Sequence, residues 1–305
     1  TVFQRNPKLL FSPQQPKGRW ADRIDRAWEK LLTILWLRRW YESIVFTVAQ
    51  IAHRRGAHRL VHIDMLIHSY AVRQTSKRMI WKREGHAVSM LLRRFGVPPI
   101  TTEGELFFTE AEQRQADAWL AGAASDGYVA VALDTDPTFF GDLRAWPFER
   151  WQVFVEALRR ATPTLSIVQL GLPESPRLQG VVDLCGKTTF REAALVLKQA
   201  AVFVSTDGGL VHAANAVGAR TVVLWSGVVS PDLVGYPGRQ RIIRKAVPCA
   251  PCGNLGWCDH GHICMEQIQV QEVLEAVLEE LSGPSSLTGD QPVLAPAVSS
   301  RAATT

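Results

Sequence analysis

The sequence lacks an uninterrupted apolar segment long enough to span a bilayer, so no transmembrane helix is predicted. The most apolar early segment, residues 31–52, is interrupted by Arg38, Arg39 and Glu42. The first residues also lack the pattern of a secretory signal peptide. We therefore expect a protein without membrane-spanning helices.

Cysteine is scarce, with five residues in 305. An odd number without a signal peptide favours a reducing compartment and argues against a disulfide framework. Four of the five lie close together with the spacing C-x2-C-x5-C-x5-C: Cys249, Cys252, Cys258 and Cys264. Four thiolates so spaced can close tetrahedrally around structural zinc or iron. The alternative is a compact loop of reduced cysteines. Cys185 stands alone and is predicted to lie in the core.

The net charge is also small, at a formal +5 at pH 7. With 47% hydrophobic and 21% charged residues, the chain has the composition of a globular protein that buries a core. A mild basic excess suits an anionic small ligand or a lipid surface as well as nucleic acid. Nucleic acid is disfavoured because the cysteine segment carries Asp259 and Glu266 and one tryptophan, Trp257.

The length predicts about two domains. Residues 1–124 show mainly helical periodicity, for instance at Trp28, Leu31, Leu32 and Leu35 and at Val88, Leu91, Leu92 and Phe95. From Tyr128, short apolar strands such as "YVAVALD", "TLSIVQLG", "AVFVST" and "RTVVLW" alternate with helices. This alternation predicts an α/β fold with a doubly wound parallel sheet that binds ligands at the carboxyl ends of its strands. A last helix is predicted over about 270–281, and a disordered tail over 283–305.

The stretch "STDGGLVH" places Asp207, Gly208, Gly209 and His212 where a strand gives way to a helix. Glycine lets the backbone approach a ligand closely, and the unpaired N–H groups of a helix start attract anions such as a diphosphate. His212 lies one helical turn further and could face the same crevice. In the alternative interpretation, Asp207 only caps the helix and His212 only packs.

Several motifs together resemble glycosyltransferase family 9, the heptosyltransferase-like enzymes. They are "STDGGLVHAANAVGARTVVLWSG", "RAWPFERWQVFVEAL", "LCGKTTFREAALVLKQAAVFVSTD" and "VPCAPCGNLGWCDHGHICMEQI". The resemblance covers residues 125–282 well and residues 80–124 loosely.

The resemblance implies a GT-B architecture, in which two Rossmann-like domains face a cleft. Residues 125–282, with the cysteine-rich segment 247–268, would bind the nucleotide-sugar, and residues 1–124 would be a partial, acceptor-side domain. It further implies inverting, metal-independent transfer of a sugar, commonly heptose from ADP-heptose, to the lipopolysaccharide core. The alternatives are a protein acceptor, or a non-catalytic relative that binds nucleotide-sugars. The enzyme would act in the cytoplasm, where nucleotide-sugars are made, and the basic, Trp-rich N-terminal part suits peripheral contact with an anionic inner membrane.

The resemblance also implies which residues bind the donor. They are Arg144, Glu174, Thr188, Asp207, Gly208, Gly209, Leu210 and His212. Arg144 stands where the family usually has lysine and would meet the charge of the diphosphate; its alternative is a solvated loop arginine. Glu174 matches the family's ribose-binding acid only loosely, and Thr188 could simply cap a helix.

One departure concerns the general base. Family members open with a strand, a Gly-rich turn and an acid that activates the acceptor, and the stretch "TVFQRNPKLLFSPQQPKGRW" contains no such turn. The sequence is then a fragment, or uses another group as base, or is a degenerate relative. Asp64 is the one acid of the N-terminal part that we nominate as the base.

Overall fold

The computed structural model describes residues 72–74, 79–81, 85–94, 104–121, 127–133, 141–254 and 258–283. Three of the sequence predictions lie outside these residues: the helix around Trp28, the candidate base Asp64, and the tail beyond residue 283.

The first described elements are two short strands and two helices. They are β1 (Val72–Gln74), β2 (Met79–Trp81), α1 (Ala87–Arg94) and α2 (Glu110–Leu120). Helix α1 confirms the helix predicted from the periodicity of Val88 and Leu91. Strands β1 and β2 pair antiparallel as a hairpin, which was not predicted from the sequence because the surrounding pattern is mainly helical.

The rest of the chain builds one sheet with helices on both faces. Its strands are β3 (Tyr128–Ala132), β4 (Ser166–Leu170), β5 (Val182–Asp183), β6 (Val202–Thr206), β7 (Thr221–Leu224) and β8 (Arg241–Ile243). Its helices are α3 (Phe148–Ala161), α4 (Phe190–Gln199), α5 (Gly209–Ala216), α6 (Pro231–Val234), α7 (Ile263–Glu266) and α8 (Val270–Ser282), with a 3-10 turn at Gly141–Arg144. The order β5-β4-β3-β6-β7-β8 with parallel pairing confirms the predicted doubly wound sheet. The short strands β5 and β8 were not predicted.

Side chains of the central strands alternate between two apolar layers, as the period of two requires. Val129 and Val131 of β3 pair with Val202 and Val204 of β6 and face the layer that α3 and α8 cover. Phe203 faces the opposite layer, which α4 and α5 cover. Both layers are buried, so the central strands are mostly apolar, with buried polar residues at Gln169 of β4 and at Ser205 and Thr206 of β6. On α3, Trp151, Val155 and Leu158 are buried as predicted, whereas Phe148 is 37% exposed.

Helix α2 packs against α4 and so adds to the helical layer of the sheet. The Arg191 Nε of α4 lies 2.6 Å from the Glu112 Oε1 of α2, and the Gln199 side chain donates to Asp117 at 3.0 Å. Thr109 and Glu112 close a capping box at the start of α2. Residues 104–121, which belong to the predicted N-terminal part, therefore pack directly on the helices of the sheet.

The sheet topology determines where a ligand would bind. From β3 the chain adds β4 and β5 on one side, and then returns to add β6, β7 and β8 on the other side. A crevice forms where two neighbouring strands continue into connections that run in opposite directions along the sheet. In this sheet, those two strands are β3 and β6, and the crevice lies at their carboxyl ends. None of the helices in the described residues is both long and apolar enough to cross a bilayer.

Candidate functional site

Two charged side chains meet at this crevice. Arg144 ends the 3-10 turn after β3, and Asp207 directly follows β6. The Arg144 Nη1 donates to the backbone carbonyl of Asp207 at 2.8 Å, and its Nε lies 3.4 Å from Asp207 Oδ2. The two side chains are only 15% and 4% exposed. The structure therefore excludes the alternative of a solvated loop arginine.

Ser226 is a third member of this cluster and was missed from the sequence. It follows β7, and its hydroxyl donates to Asp207 Oδ2 at 3.1 Å. The other carboxylate oxygen of Asp207, Oδ1, is buried and has no hydrogen-bond partner among the described residues. Buried polar atoms are nearly always paired, so Oδ1 is an acceptor available to a ligand or to water.

Burial changes the protonation of this pair. It raises the pKa of Asp207 to about 6, although the Arg144 guanidinium and hydrogen bonds from Ser226 lower that pKa. Burial likewise lowers the pKa of Arg144, and the carboxylate of Asp207 raises it. The pair thus consists of an arginine and a carboxyl group whose pKa lies slightly below neutral pH.

The start of α5 is open, as an anion site requires. Gly208 is its N-cap, in an extended conformation, and no side chain caps the helix. This excludes the alternative in which Asp207 serves only as the cap. A Cβ added at Gly209 would meet no atom within 4 Å, so the protein itself leaves space there. The side chain of Leu210 packs towards the apolar layer beneath the helix, so this residue offers the crevice its backbone.

His212 borders the same crevice and belongs to a group of three rings. Its Nδ1 lies 2.9 Å from the Tyr236 hydroxyl oxygen, and the two rings meet edge to face. His86, just before α1, also packs against Tyr236, with 5.7 Å between ring centroids. His212 is an exposed residue, and partial desolvation by the neighbouring residues lowers its pKa, with smaller contributions from Arg144 and His86.

Tyr236 and His86 were not predicted as site residues. Tyr236 lies in a loop with no periodic pattern, and His86 stood among scattered histidines without ligand spacing. The one available signal was the position of His86 at the start of a predicted helix.

Glu174 and Thr188 lie at the same edge of the sheet but further along it. Glu174 is exposed in the turn after β4, and Thr188 is half-buried in the turn after β5. Gly186 joins these two turns: its N–H donates to the Gly171 carbonyl, and a Cβ at Gly186 would lie 2.8 Å from the Cα of Pro173. Their ligand-binding roles remain predictions.

The four clustered cysteines line one small cavity together with Leu143 and Gly227. Cys249, Cys252, Cys258 and Cys264 are all free thiols and half-buried. Within residues 141–254 and 258–283, as in the rest of the described chain, no group of three or more His, Cys, Asp or Glu side chains is arranged to hold a metal ion. The cavity brings together the predicted ligands but not in a closed coordination shell. Cys185 is buried in the core, as predicted.

The fold resembles solved structures of low sequence identity. The crystal structure of a family 9 glycosyl transferase from Veillonella parvula DSM 2008 is 16% identical, with a TM-score of 0.53, over 66% of this chain and 61% of that chain. Escherichia coli ADP-heptose LPS heptosyltransferase II is 18% identical, with a TM-score of 0.49, over 65% of this chain and 62% of that chain. The chain thus spans less than two thirds of the length of these proteins.

A third similar structure is the iron-containing dodecameric glycosyltransferase TibC from enterotoxigenic Escherichia coli H10407. It is 17% identical, with a TM-score of 0.49, over 64% of this chain and 52% of that chain. No curated protein matches the sequence. The family model for glycosyltransferase family 9 (heptosyltransferase) matches residues 33–256, well over half of the chain. The chain therefore belongs to glycosyltransferase family 9.

Proposed function

We propose that the chain binds the diphosphate of a nucleotide-sugar at the start of α5 and takes part in inverting transfer of the sugar, with heptose from ADP-heptose as the favoured donor. The observation that carries this proposal is the uncapped start of α5 beside the Arg144–Asp207 pair, in the crevice between β3 and β6. Membership of a family described as heptosyltransferases supports the choice of heptose.

The charges of the crevice suit a departing diphosphate. As the glycosidic bond breaks, negative charge develops on the phosphate oxygens. The backbone N–H groups at Gly208 and Gly209 and the Arg144 guanidinium can stabilise that charge without a catalytic metal. Asp207 holds the guanidinium in place, and its free Oδ1 can accept a hydrogen bond from a donor hydroxyl. We assign no general base among the residues that the structure describes, and Asp64, which lies outside them, remains our candidate.

We propose the lipopolysaccharide core as acceptor, reached by peripheral contact with the cytoplasmic face of the inner membrane. The basic balance of the chain supports an anionic acceptor. A protein acceptor is the alternative within the same chemistry. The two are distinguished by supplying each acceptor with the identified donor and measuring release of the nucleoside diphosphate.

Thermal unfolding with three nucleotide-sugars tests donor binding. We expect ADP-heptose, and not UDP-glucose or GDP-mannose, to raise the unfolding temperature of the full chain. At a concentration 100 times its Kd, a ligand stabilises by about 2.7 kcal/mol, which corresponds to a rise of roughly 5–10 °C for a domain of this size. The absence of a shift with all three would contradict the proposal, and a shift without any transfer would identify a non-catalytic binding protein.

The substitution Gly209→Ala tests diphosphate binding at the start of α5 without disturbing the fold. Its added methyl meets no protein atom, so the unliganded variant should unfold at the wild-type temperature or slightly above it. The same methyl would occupy the space that the diphosphate needs. We therefore expect the variant to lose the shift with ADP-heptose, and a full wild-type shift would place the diphosphate elsewhere.

We also propose that the four clustered cysteines hold structural zinc or iron. Their spacing and their shared cavity support this, and binding would draw the four sulfur atoms closer together. Elemental analysis of purified protein should find about one zinc or iron per chain. Cys258→Ser should lower this content, whereas Cys185→Ser, which changes a thiol of the core, should not. Wild-type protein with neither metal would refute the site.

A further inference from the structure

Tyr236 contacts the rings of both His86 and His212. The residue is 8% exposed, and its carbonyl accepts from the N–H groups of Arg239 and Gln240. The preceding Gly235 has no room for a side chain, because a Cβ there would lie 2.9 Å from the Trp225 ring and from the Pro231 carbonyl. The backbone that carries Tyr236 is therefore fixed from both directions.

His86 completes the packing around Tyr236 from a different part of the chain. Its Nδ1 accepts from the Val88 N–H at 3.3 Å, which anchors the ring at the start of α1. Ala87 and Met90 of α1 pack in an apolar cluster with Leu233 of α6. This cluster joins the start of α1, beside His86, to the helix that precedes Tyr236. A segment more than 100 residues upstream thus contacts the ring group of the crevice.

The 2.9 Å contact between the Tyr236 hydroxyl and the His212 Nδ1 links this hydroxyl to the tautomer of His212, since one of the two atoms must donate the proton. Among the residues that the structure describes, the His212 Nδ1 is the one acceptor within hydrogen-bond distance of the hydroxyl. A hydroxyl that donates to Nδ1 leaves the imidazole proton of neutral histidine on Nε2. His212 lies on α5 one turn after its start at Gly208 and Gly209, and the charge of Arg144 lowers the pKa of His212.

We propose that Tyr236 and His86 are positioning residues that hold His212 in its Nε2–H tautomer, so that His212 presents a hydrogen-bond donor to a phosphate or sugar oxygen of the donor substrate. The part that concerns the substrate rests on the proposed function. The part that concerns the tautomer rests on the ring geometry alone. Without the hydroxyl, neutral His212 would distribute its proton over both nitrogens, and part of the population would offer the substrate an acceptor instead.

The test measures the tautomer directly, by 15N NMR of the full chain labelled at histidine, without ligand. The His212 resonances are assigned as those missing from His212→Gln. In the wild type we expect a protonated Nε2 and an unprotonated Nδ1. Tyr236→Phe keeps the ring packing and should move both resonances towards the average of the two tautomers. His86→Asn keeps an acceptor at the start of α1 but removes the ring, and should cause a smaller shift in the same direction.

Tyr128→Phe is the matched control. The Tyr128 hydroxyl donates to the Val196 carbonyl, within the apolar layer and away from the crevice. This variant loses a buried tyrosine hydroxyl but should keep the wild-type His212 resonances and the wild-type affinity for ADP-heptose. In Tyr236→Phe the affinity should fall by about three- to tenfold, the range for one hydrogen bond.

The outcomes separate the two proposals. Unchanged His212 resonances in Tyr236→Phe overturn the positioning role, whatever the affinity. Shifted resonances with unchanged affinity overturn the contact between His212 and the substrate. A wild type that binds none of the three nucleotide-sugars overturns the proposed function, while the resonances still decide the tautomer.

Discussion

Asp207→Asn is expected to lower kcat/KM for sugar transfer by about 100-fold. The substitution keeps the size of the side chain but removes the charge that faces the Arg144 Nε and accepts from Ser226. A hydrogen bond to a charged group contributes about 1.5–3 kcal/mol, which corresponds to a factor of roughly 10–150. Transfer is measured as release of the nucleoside diphosphate from the donor that the unfolding experiment identifies.

The dependence of the wild-type kcat/KM on pH should also report the ionisation of Asp207. Because burial raises the pKa of Asp207 to about 6, its carboxylate is mostly ionised at pH 7.5 and mostly protonated at pH 5. We expect kcat/KM of the wild type to fall as the pH drops through about 6, and the profile of Asp207→Asn to lack this decrease. His212→Gln should keep the decrease, since it leaves Asp207 in place.

Asp117→Asn serves as the control for this substitution. Asp117 accepts hydrogen bonds from Gln113 and Gln199 on the exposed side of α2, far from the crevice. It should retain the wild-type rate and the wild-type pH profile. Asp207→Asn protein that unfolds cooperatively and still transfers sugar at the wild-type rate would remove Asp207 from the site.

Arg144→Ala is expected to weaken ADP binding by about 10–150-fold, the range for a charged hydrogen bond. Among the residues that the structure describes, the guanidinium is a basic group that the crevice offers the diphosphate beside the N–H groups of α5. Titration calorimetry with ADP measures this loss. Arg144→Lys should recover only part of it, because an ammonium group cannot contact the Asp207 carbonyl and carboxylate at once with the planar geometry of a guanidinium.

Arg220→Ala is the matched control for Arg144. The Arg220 guanidinium donates to the Glu280 and Gly283 carbonyls at the end of α8, on a surface that takes no part in the crevice. It should bind ADP as the wild type does. Equal ADP affinity in Arg144→Ala and the wild type would show that the diphosphate does not meet this side chain. Because Arg144 and Asp207 are in contact, the double variant should lose less than the sum of the two single losses.

Local signals in the sequence predicted most of the elements around the sheet. The capping box of Thr189 and Glu192, for example, needs only residues three apart, and the structure forms it at the start of α4. Gly218 ends α5 with a φ of +71°, which glycine adopts without strain. Strands β5 and β8 were missed because runs of two and three residues carry no detectable alternation.

The site was predictable only in part, because sequence patterns reflect neighbours along the chain and not contacts between distant elements. Asp207 and Gly209 stand out because a strand, a glycine pair and a helix adjoin in sequence. Ser226 and Tyr236 do not, since each acquires its role from a contact with a residue on another element. A contact between distant elements leaves no periodic pattern in the sequence.

The sequence by itself determined the alternation of buried strands and amphipathic helices, and with it a parallel sheet whose carboxyl edge carries the Gly208 turn. Those features depend on hydrophobic periodicity and turn chemistry, which act over a few residues. Only the tertiary structure decided that Arg144 joins Asp207, that Ser226 supports them, and that His86 reaches the crevice through Tyr236. These contacts exist because the strand order reverses between β3 and β6, and because α1 packs on the loop after β7.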